Sequence, residues 1–325
     1  VDASHESALR SQLALRRQSL ERAVSSVPEA SYLNDLLREV DAALSRLDGG
    51  TFGLCEICHD TIEGDRLAAD PLTRFCLDHL STSQQRDLEQ DLDLAGRIQS
   101  ALLPSNDLRY EGWQATFHFQ PAGPVSGDYC DLMISPDGNL YFMLGDVSGK
   151  GIAAAMLMSH LHAMFRVLIS VGLPLDQIVG RASRVFCEST HSSQYATLVC
   201  GKAGAHGGLE ICNAGHLPSL LLGAKHRCLE ANGLPLGMFC SEEFSVARVE
   251  MQKGERLVLL TDGFTEARNP SGAELGIHPL LEMAKRHSAA SPQEFVRRAV
   301  ARASDFRAGG PVNDDLTLLV IERTA

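Results

Sequence analysis

The spacing of apolar residues changes period near Trp113, and that change divides the chain into regions that cannot share one architecture. Before it, Leu9, Leu13, Leu20 and Val24 recur on one helical face. Leu33, Leu37, Val40, Leu44 and Leu47 follow at coiled-coil spacing until Gly49-Gly50 stops the run. Pro28 separates these stretches, so residues 1–50 read as an antiparallel helical hairpin that packs on itself or dimerises. Leu88, Leu92, Ala95, Ile98 and Leu102 then share a face that Pro104 closes, making residues 83–104 a connecting helix. From Trp113 the segments are short, β-rich and bounded by Gly, Pro, Asn or Asp: Trp113–Gln120, Tyr129–Ile134, Leu140–Leu144, Ala196–Cys200, Leu209–Cys212, Ser219–Leu222, Phe244–Val249, Arg256–Leu260 and Leu316–Ile321. Helical patterns lie at Ile152–Val171, Leu175–Ser189, Pro279–His287 and Pro292–Phe306. Strands that follow one another directly outnumber strand-helix-strand crossovers. Residues 105–325 are therefore expected to be an α+β domain of mainly antiparallel sheets covered by helices.

Composition narrows the function. With 29 basic against 41 acidic residues the net charge is −12, which argues against direct nucleic-acid binding. At 44% apolar and 22% charged residues the chain has ample material for buried cores. The most apolar stretch, Ala153 to Leu173, is interrupted by Ser159, His160, His162, Arg166 and Ser170, so no membrane span is expected. The chain begins at Val1, and the lack of a signal segment therefore excludes little. Of nine cysteines, three cluster near the N-terminus and six are scattered among apolar residues, a pattern that fits a reducing cytoplasm.

Four aspartate positions stand where strands should end: Ser126-Gly127-Asp128, Gly145-Asp146-Val147, Thr261-Asp262-Gly263 and Asn313-Asp314-Asp315. Any one of them reads as an ordinary turn. Together they occupy sheet rims, where side chains from separate strands can converge. Two carboxylates about 5 Å apart repel by roughly 3 kcal/mol at an effective dielectric of about 20, so four cannot stay ionised together without a cation. Oxygen-only ligands select Mg²⁺ or Mn²⁺ over zinc, and a pair of such ions suits phosphoryl chemistry. Gly145-Asp-Val-Ser-Gly-Lys-Gly151 is not a nucleotide-binding loop, because its glycines are one residue too close and Gly151 stands where Ser or Thr is required.

These residues carry a family resemblance. Ser126-Gly-Asp-Tyr-Cys-Asp131, Gly145-Asp-Val-Ser-Gly-Lys-Gly151, Asn213-Ala-Gly-His216, Leu234-Pro-Leu-Gly237, Thr261-Asp-Gly-Phe-Thr-Glu266 and Asp314-Asp-Leu-Thr317 appear in family order. The series resembles the metal-dependent, type-2C-like serine/threonine phosphatases, in the bacterial branch of the stage II sporulation protein E and RsbU. The resemblance implies an α-β-β-α sandwich of two stacked sheets flanked by helices, with two Mn²⁺ or Mg²⁺ ions at one edge. It implies that Asp146 serves both ions, that Asp262 and Asp314 complete one, and that Asp128 and the Val147 carbonyl serve the other. Asp128, Asp146, Asp262 and Asp314 are thus the expected catalytic set. Asp315 is an alternative ligand to Asp314, Asp131 stands behind the ligands, and Asn213 and His216 read as a turn at least as readily as chemistry.

Cys55-x2-Cys58 and, after seventeen residues, Cys76-x2-His79 form paired zinc knuckles. Three thiolates and one imidazole close a tetrahedron, which makes one structural Zn²⁺ the expectation for residues 51–82. A redox role for the first pair is the weaker alternative, and His59 follows Cys58 too directly to join the set. The hairpin with this finger resembles the DksA/TraR family, whose members bind RNA polymerase and often have Cys where His79 stands. The hairpin tip near Val27-Pro28-Glu29 is short and lacks a clear acidic pair.

The expectation from these features is a cytoplasmic phosphatase acting through water activated between two metal ions. Its substrate would be phosphoserine or phosphothreonine on a regulatory protein such as an anti-sigma-factor antagonist. The N-terminal and linker helices would dimerise, and the linker would switch the cleft or simply pack against its sheet. The competing reading is a non-catalytic adaptor whose zinc module docks on the transcription machinery.

Overall fold

The computed structural model describes residues 3–26, 31–80, 82–190, 194–241, 243–286 and 290–325, so Val27-Pro28-Glu29 and His287 lie outside the described residues. Two compact units emerge, one ending at Asp91 and one from Leu92 to Ala325.

In the first unit, α1 (Ala3–Ser26) and α2 (Ser31–Asp48) run antiparallel: Arg10 pairs with Asp48 and Arg17 with Asp41. Leu13, Val40, Ala43 and Leu47 bury together with Leu72 of the finger, so the seam read as a coiled coil is used within the chain. The finger adds α3 (Gly64–Ala69) and a 3-10 turn at Leu77–His79. Its own buried cluster is only Cys55, Ile62, Leu67 and Cys76, too little apolar surface to fold thirty residues unaided. Ligand atoms of Cys55, Cys58, Cys76 and His79 lie within 4.8 Å of one another. The Cys58 and Cys76 sulfurs are 3.8 Å apart, matching the edge of about 3.8 Å for a tetrahedron with zinc–sulfur bonds of about 2.3 Å. Burial alone would raise the Cys55 thiol, but N–H groups of Cys58, Cys76 and Ile57 outweigh it and draw it down to about 6, the direction a zinc thiolate needs. His59 adopts a left-handed backbone (φ 62°) and stays outside the ligand group.

Helix α4 (Thr82–Leu102) crosses the division between the units. In its second half the covered positions are Leu92, Ala95, Gly96, Gln99 and Leu102, whereas Ile98, expected on that face, is 57% exposed. A polar side chain occupies the position the apolar pattern skipped.

The second unit stacks two antiparallel sheets. One has the order β1-β2-β11-β10-β7-β8, from Leu108–Tyr110, Trp113–Gln120, Leu316–Arg323, Arg256–Leu260, Ser219–Leu222 and Arg227–Leu229. The other has the order β3-β4-β5-β6-β9, from Asp128–Ile134, Leu140–Val147, Ala196–Ala203, Gly208–Ala214 and Ala247–Glu250. Strand alternation sends Phe142, Leu144, Leu257, Leu259, Leu319 and Trp113 into the space between the sheets. Outward residues of the five-stranded sheet meet α5 (Gly151–Ser170) and α6 (Leu175–Ser189). Those of the six-stranded sheet meet α7 (Asp262–Thr265), α8 (His278–Arg286) and α9 (Pro292–Arg307). The α-β-β-α sandwich is as expected, while β1, β8 and α7 are too short to show a period.

One reading needs a note and two need correction. By length and composition α5 could cross a membrane, yet it buries Ala154, Ala155, Met158, Leu161, Phe165 and Ile169 in the core beside the five-stranded sheet. The scattered cysteines are not all free, since Cys187 on α6 is disulfide-bonded to Cys240. Asp131 points away from Asp128, because residues three apart on a strand face opposite sides. Arg166 of α5 donates to both of its carboxylate oxygens, at 2.7 and 2.5 Å, which locks that helix onto β3.

Purified protein is expected to contain about one zinc per chain. Cys55→Ser should release it and unfold residues 51–80, read as lost amide protection there while the sandwich stays protected. A protected finger in the zinc-free variant would contradict the structural role.

Candidate metal centre

At one end of the inter-sheet layer the inward residues turn polar. In β3 and β4 the alternation that buries Leu132, Cys130, Phe142 and Leu144 continues to Asp128 and Asp146, which pair directly across the two strands. β4 runs on to Val147, past the end at Leu144 that the sequence suggested. From the opposite sheet the same alternation brings Thr261, after β10, and Thr317, in β11. Their hydroxyls donate to the same Asp128 oxygen at 2.9 and 2.5 Å. Asp128 is 1% exposed, and burial drives its carboxyl well above the usual range, with the neighbouring charges of Asp146 and Asp315 adding to the rise. One of its oxygens is therefore committed to tying the two sheets together, a role its sequence position did not reveal.

Asp146 is half-buried and pushed up to about 7, first by desolvation and then by the charges of Asp262, Asp314 and Asp315. Asp262 opens α7 and is raised by burial, by Asp314 and by Glu266. Asp314 and Asp315 part company. Both Asp315 oxygens accept backbone N–H groups, from Ala122 at 2.7 Å and Gly127 at 2.8 Å, whereas Asp314 meets the Lys150 ammonium at 2.8 Å. Lys150 also donates to the Asn313 carbonyl at 3.0 Å. Asp146, Asp262 and Asp314 thus converge, Asp315 anchors the segment leading into Asp128, and Asp128 lies at the buried back.

Two glycines permit the convergence. A Cβ on Gly127 would come within 3.1 Å of the Val147 carbonyl oxygen and 3.3 Å of Asp146 Oδ1. On Gly263 it would meet the Asp315 carbonyl at 2.0 Å. Only bare backbone lets these strand ends approach so closely. Gln99 of α4 grips the same segment, donating from Nε2 to the Ser126 carbonyl at 2.7 Å and accepting the Ser126 N–H at 2.9 Å.

Two pockets flank the carboxylates. One of about 240 Å³ is lined by Asp146, Ser148, Tyr195, Thr197, His216 and Asp262 among others. The second, of about 260 Å³, is lined by Lys150, Gly263, Arg268, Arg307 and Asp314, and Glu266 borders both. His216 lies 3.1 Å from the Leu260 carbonyl through Nε2 and 2.8 Å from the Thr197 hydroxyl through Nδ1. A neutral ring with its proton on Nε2 satisfies both contacts, and desolvation holds its pKa down at about 4. Asn213 accepts the His216 N–H at 2.8 Å, so the Asn-Ala-Gly-His stretch is a turn that ties the sheets beside the cleft.

The donors facing the cleft are carboxylates, of which Asp146 and Asp262 are raised by burial and then by neighbouring carboxylate charges, while Asp314 pairs with the Lys150 ammonium. That set fits hard divalent ions. Sequence reading missed Thr261 and Thr317 as partners of Asp128, although strand parity marks both as inward.

Comparison with known proteins supplies the kinship. The fold is similar to the SiaA-PP2C domain of Pseudomonas aeruginosa, with a TM-score of 0.65 at 19% identity over 74% of this chain and 99% of that one. The RsbU and RsbW domains of Rv1364c from Mycobacterium tuberculosis superpose with a TM-score of 0.55 at 26% identity, over 69% of this chain and 62% of that one. Phosphoserine phosphatase RsbU of Bacillus subtilis is 24% identical over 318 residues, 96% of this chain and 85% of RsbU. Protein IcfG of Synechocystis is 27% identical over 266 residues, 72% of this chain, which spans only 41% of IcfG. Residues 50–78 match the prokaryotic dksA/traR C4-type zinc finger, a match that stops one residue short of His79. Residues 136–324, more than half of the chain and including Asp146, Asp262 and Asp314, match stage II sporulation protein E (SpoIIE), and this chain belongs to that family.

Proposed function

We propose that residues 105–325 form a metal-dependent phosphatase that hydrolyses phosphoserine or phosphothreonine on a regulatory protein, an anti-sigma-factor antagonist being the class in view. The observation that carries this reading is the crowding of Asp146, Asp262 and Asp314 at one sheet edge, with the carboxyls of Asp146 and Asp262 raised and Asp314 paired to the Lys150 ammonium. In this reading Asp146, Asp262 and Asp314, with Asp128 and the Val147 carbonyl, would hold two divalent ions, Mn²⁺ or Mg²⁺, Asp262 and Asp314 toward one and Asp128 with the Val147 carbonyl toward the other. When bound, such ions supply Lewis acidity toward the phosphoryl oxygens and toward the attacking water. The chain's own groups hold the arrangement: Thr261 and Thr317 fix Asp128, Asp315 fixes the backbone at Ala122 and Gly127, and Lys150 offers a positive charge beside the cleft. RsbU and RsbP of Bacillus subtilis, both named phosphoserine phosphatases, support the substrate class. A zinc finger built on three thiolates supports a reducing, cytoplasmic setting.

With Mn²⁺ the protein is expected to hydrolyse p-nitrophenyl phosphate. Chelation should abolish turnover, and Asp146→Asn should lower it at least about a hundredfold. Turnover that survives both treatments overturns the metal reading. No turnover under any condition, phosphopeptides included, favours the non-catalytic adaptor.

The raised Asp146 carboxyl also sets a pH dependence. Its folded-state value of about 7 lies above the ordinary 3.8, so between these limits the folded chain binds more protons than the unfolded one. Metal-free protein should therefore lose stability as pH rises through that window, by on the order of a few kcal/mol. Thermal melts from pH 5 to about pH 7 should show Tm falling without divalent ions and holding level with Mn²⁺. An identical slope in both conditions would remove Asp146 from the metal set.

Gln99 connects the linker helix to the cleft in this reading, since its amide holds the backbone just before Asp128. Gln99→Ala is expected to raise the half-saturating Mn²⁺ concentration several-fold while leaving turnover at saturation within about twofold. An unchanged metal requirement would leave α4 as static packing.

A further inference from the structure

The disulfide between Cys187 and Cys240 ends a segment, residues 233–240, that packs behind the cleft lining, and the proposed hydrolysis uses neither residue. Leu236 exchanges two backbone hydrogen bonds with Ala196, at 2.7 and 3.0 Å, and Ala196 stands between Tyr195 and Thr197, which line the cleft beside Asp146. Pro235 abuts Gly215, where a Cβ would come within 2.6 Å of the proline ring. Gly237, in a left-handed conformation at φ 80°, lies against the Phe186 ring and donates its N–H to Ser183 Oγ at 3.3 Å. Residues 233–240 are thus wedged between the cleft lining and α6. Beyond them Met238 and Phe239 are exposed, and Cys240 is bonded to the residue that follows Phe186.

Cys240 is exposed, Cys187 is half-buried, and their Cα atoms are 5.4 Å apart, an ordinary separation for a disulfide. The same chain offers Cys55, Cys58 and Cys76 as zinc thiolates, which require a reducing setting. In such a setting a solvent-reachable disulfide is a reversible element rather than a permanent staple.

We propose that Cys187 and Cys240 form a reversible redox site that fixes the 233–240 segment behind the cleft lining, with a low-molecular-weight disulfide as oxidant. The Cys240 thiolate attacks one sulfur of that disulfide and expels a small thiolate. Cys187, as thiolate, then attacks the Cys240 sulfur and expels the second. The protein pair gives up two electrons and two protons, and the small disulfide leaves as two thiols. Resting on the phosphatase reading, closure orders the segment beside the cleft, whose Leu234, Met238 and Phe239 are exposed to a protein substrate, and leaves the carboxylates untouched, so it acts on protein substrates rather than on small esters.

The test titrates zinc-loaded protein with mixtures of oxidised and reduced glutathione, maps alkylated cysteines by mass spectrometry and follows amide exchange across residues 233–241. The bond should form reversibly in the wild type and be absent in Cys187→Ser and Cys240→Ser, and exchange in the loop should slow only when it closes. On reduction KM for a synthetic phosphoseryl peptide should rise about threefold or more, with p-nitrophenyl phosphate turnover unchanged. Free Cys240 at every ratio, or loop exchange indifferent to closure, would overturn the proposal. Absent turnover in both redox states would instead count against the phosphatase reading, and the mapping and exchange results would still decide the redox site.

Discussion

Repulsion among like charges is the constraint on which the C-terminal domain turns. Burying Asp128 and half-burying Asp146 beside Asp262 and Asp314 runs against the ordinary preference of carboxylates for water. The fold supports the arrangement with an apolar sandwich whose inter-sheet layer holds Trp113, Phe142 and Leu257 fully buried. Two devices then limit the penalty at its end. Hydroxyls from the opposite sheet satisfy the deepest carboxylate, and the outermost one meets a lysine. Asp146 lies in between, and burial first, then the charges of Asp262, Asp314 and Asp315, push its carboxyl up to about 7, an environment that favours a cation beside it.

Asp314 and Asp315 show how backbone geometry separates chemically identical neighbours. Asp315 is spent on two N–H groups of the segment entering β3 and so behaves as part of the scaffold. That leaves Asp314 facing Lys150 and the cleft. Because Gly263 approaches the Asp315 carbonyl so closely, the two strand ends are fixed to each other, and displacing one aspartate displaces both. The sequence left these residues as alternatives because adjacency along a chain says nothing about which side chain an N–H group will claim.

Period and turn chemistry made the architecture legible. Every strand of five or more residues, and the helices from α4 onward except the single-turn α7, announced itself through spacing or boundary residues. β8, at Arg227–Leu229, did not, because three residues cannot display an alternation. At the site, four glycine-flanked or paired aspartates were visible as a set, but their partners were less so. Thr261 and Thr317 were readable in principle by extending the inward parity of Leu259 and Leu319. Gln99 was not, since an amide on a helix reads as a solvent-facing residue until a neighbouring backbone is known. Cys187 and Cys240, with a sequence separation of 53, carry no spacing signal at all, unlike the knuckles of the finger.

The two metal environments also divide labour along the chain by ligand softness. Thiolates and an imidazole gathered in a finger with four buried core residues would make its folding depend on the zinc they hold when bound. Carboxylates at the rim of a large apolar sandwich leave the core to carry most of the folding, so an ion bound there would stabilise the domain rather than create it. A finger that needs reduced sulfur and a 233–240 segment held by oxidised sulfur therefore respond in opposite senses to the same redox change: mild oxidation that closes Cys187–Cys240 firms the segment behind the cleft lining, whereas oxidation strong enough to reach Cys55, Cys58 and Cys76 would unfold the finger. Cys55 and Cys76 are buried and Cys58 half-buried, while Cys240 is exposed, so solvent access puts the 233–240 segment first in that order.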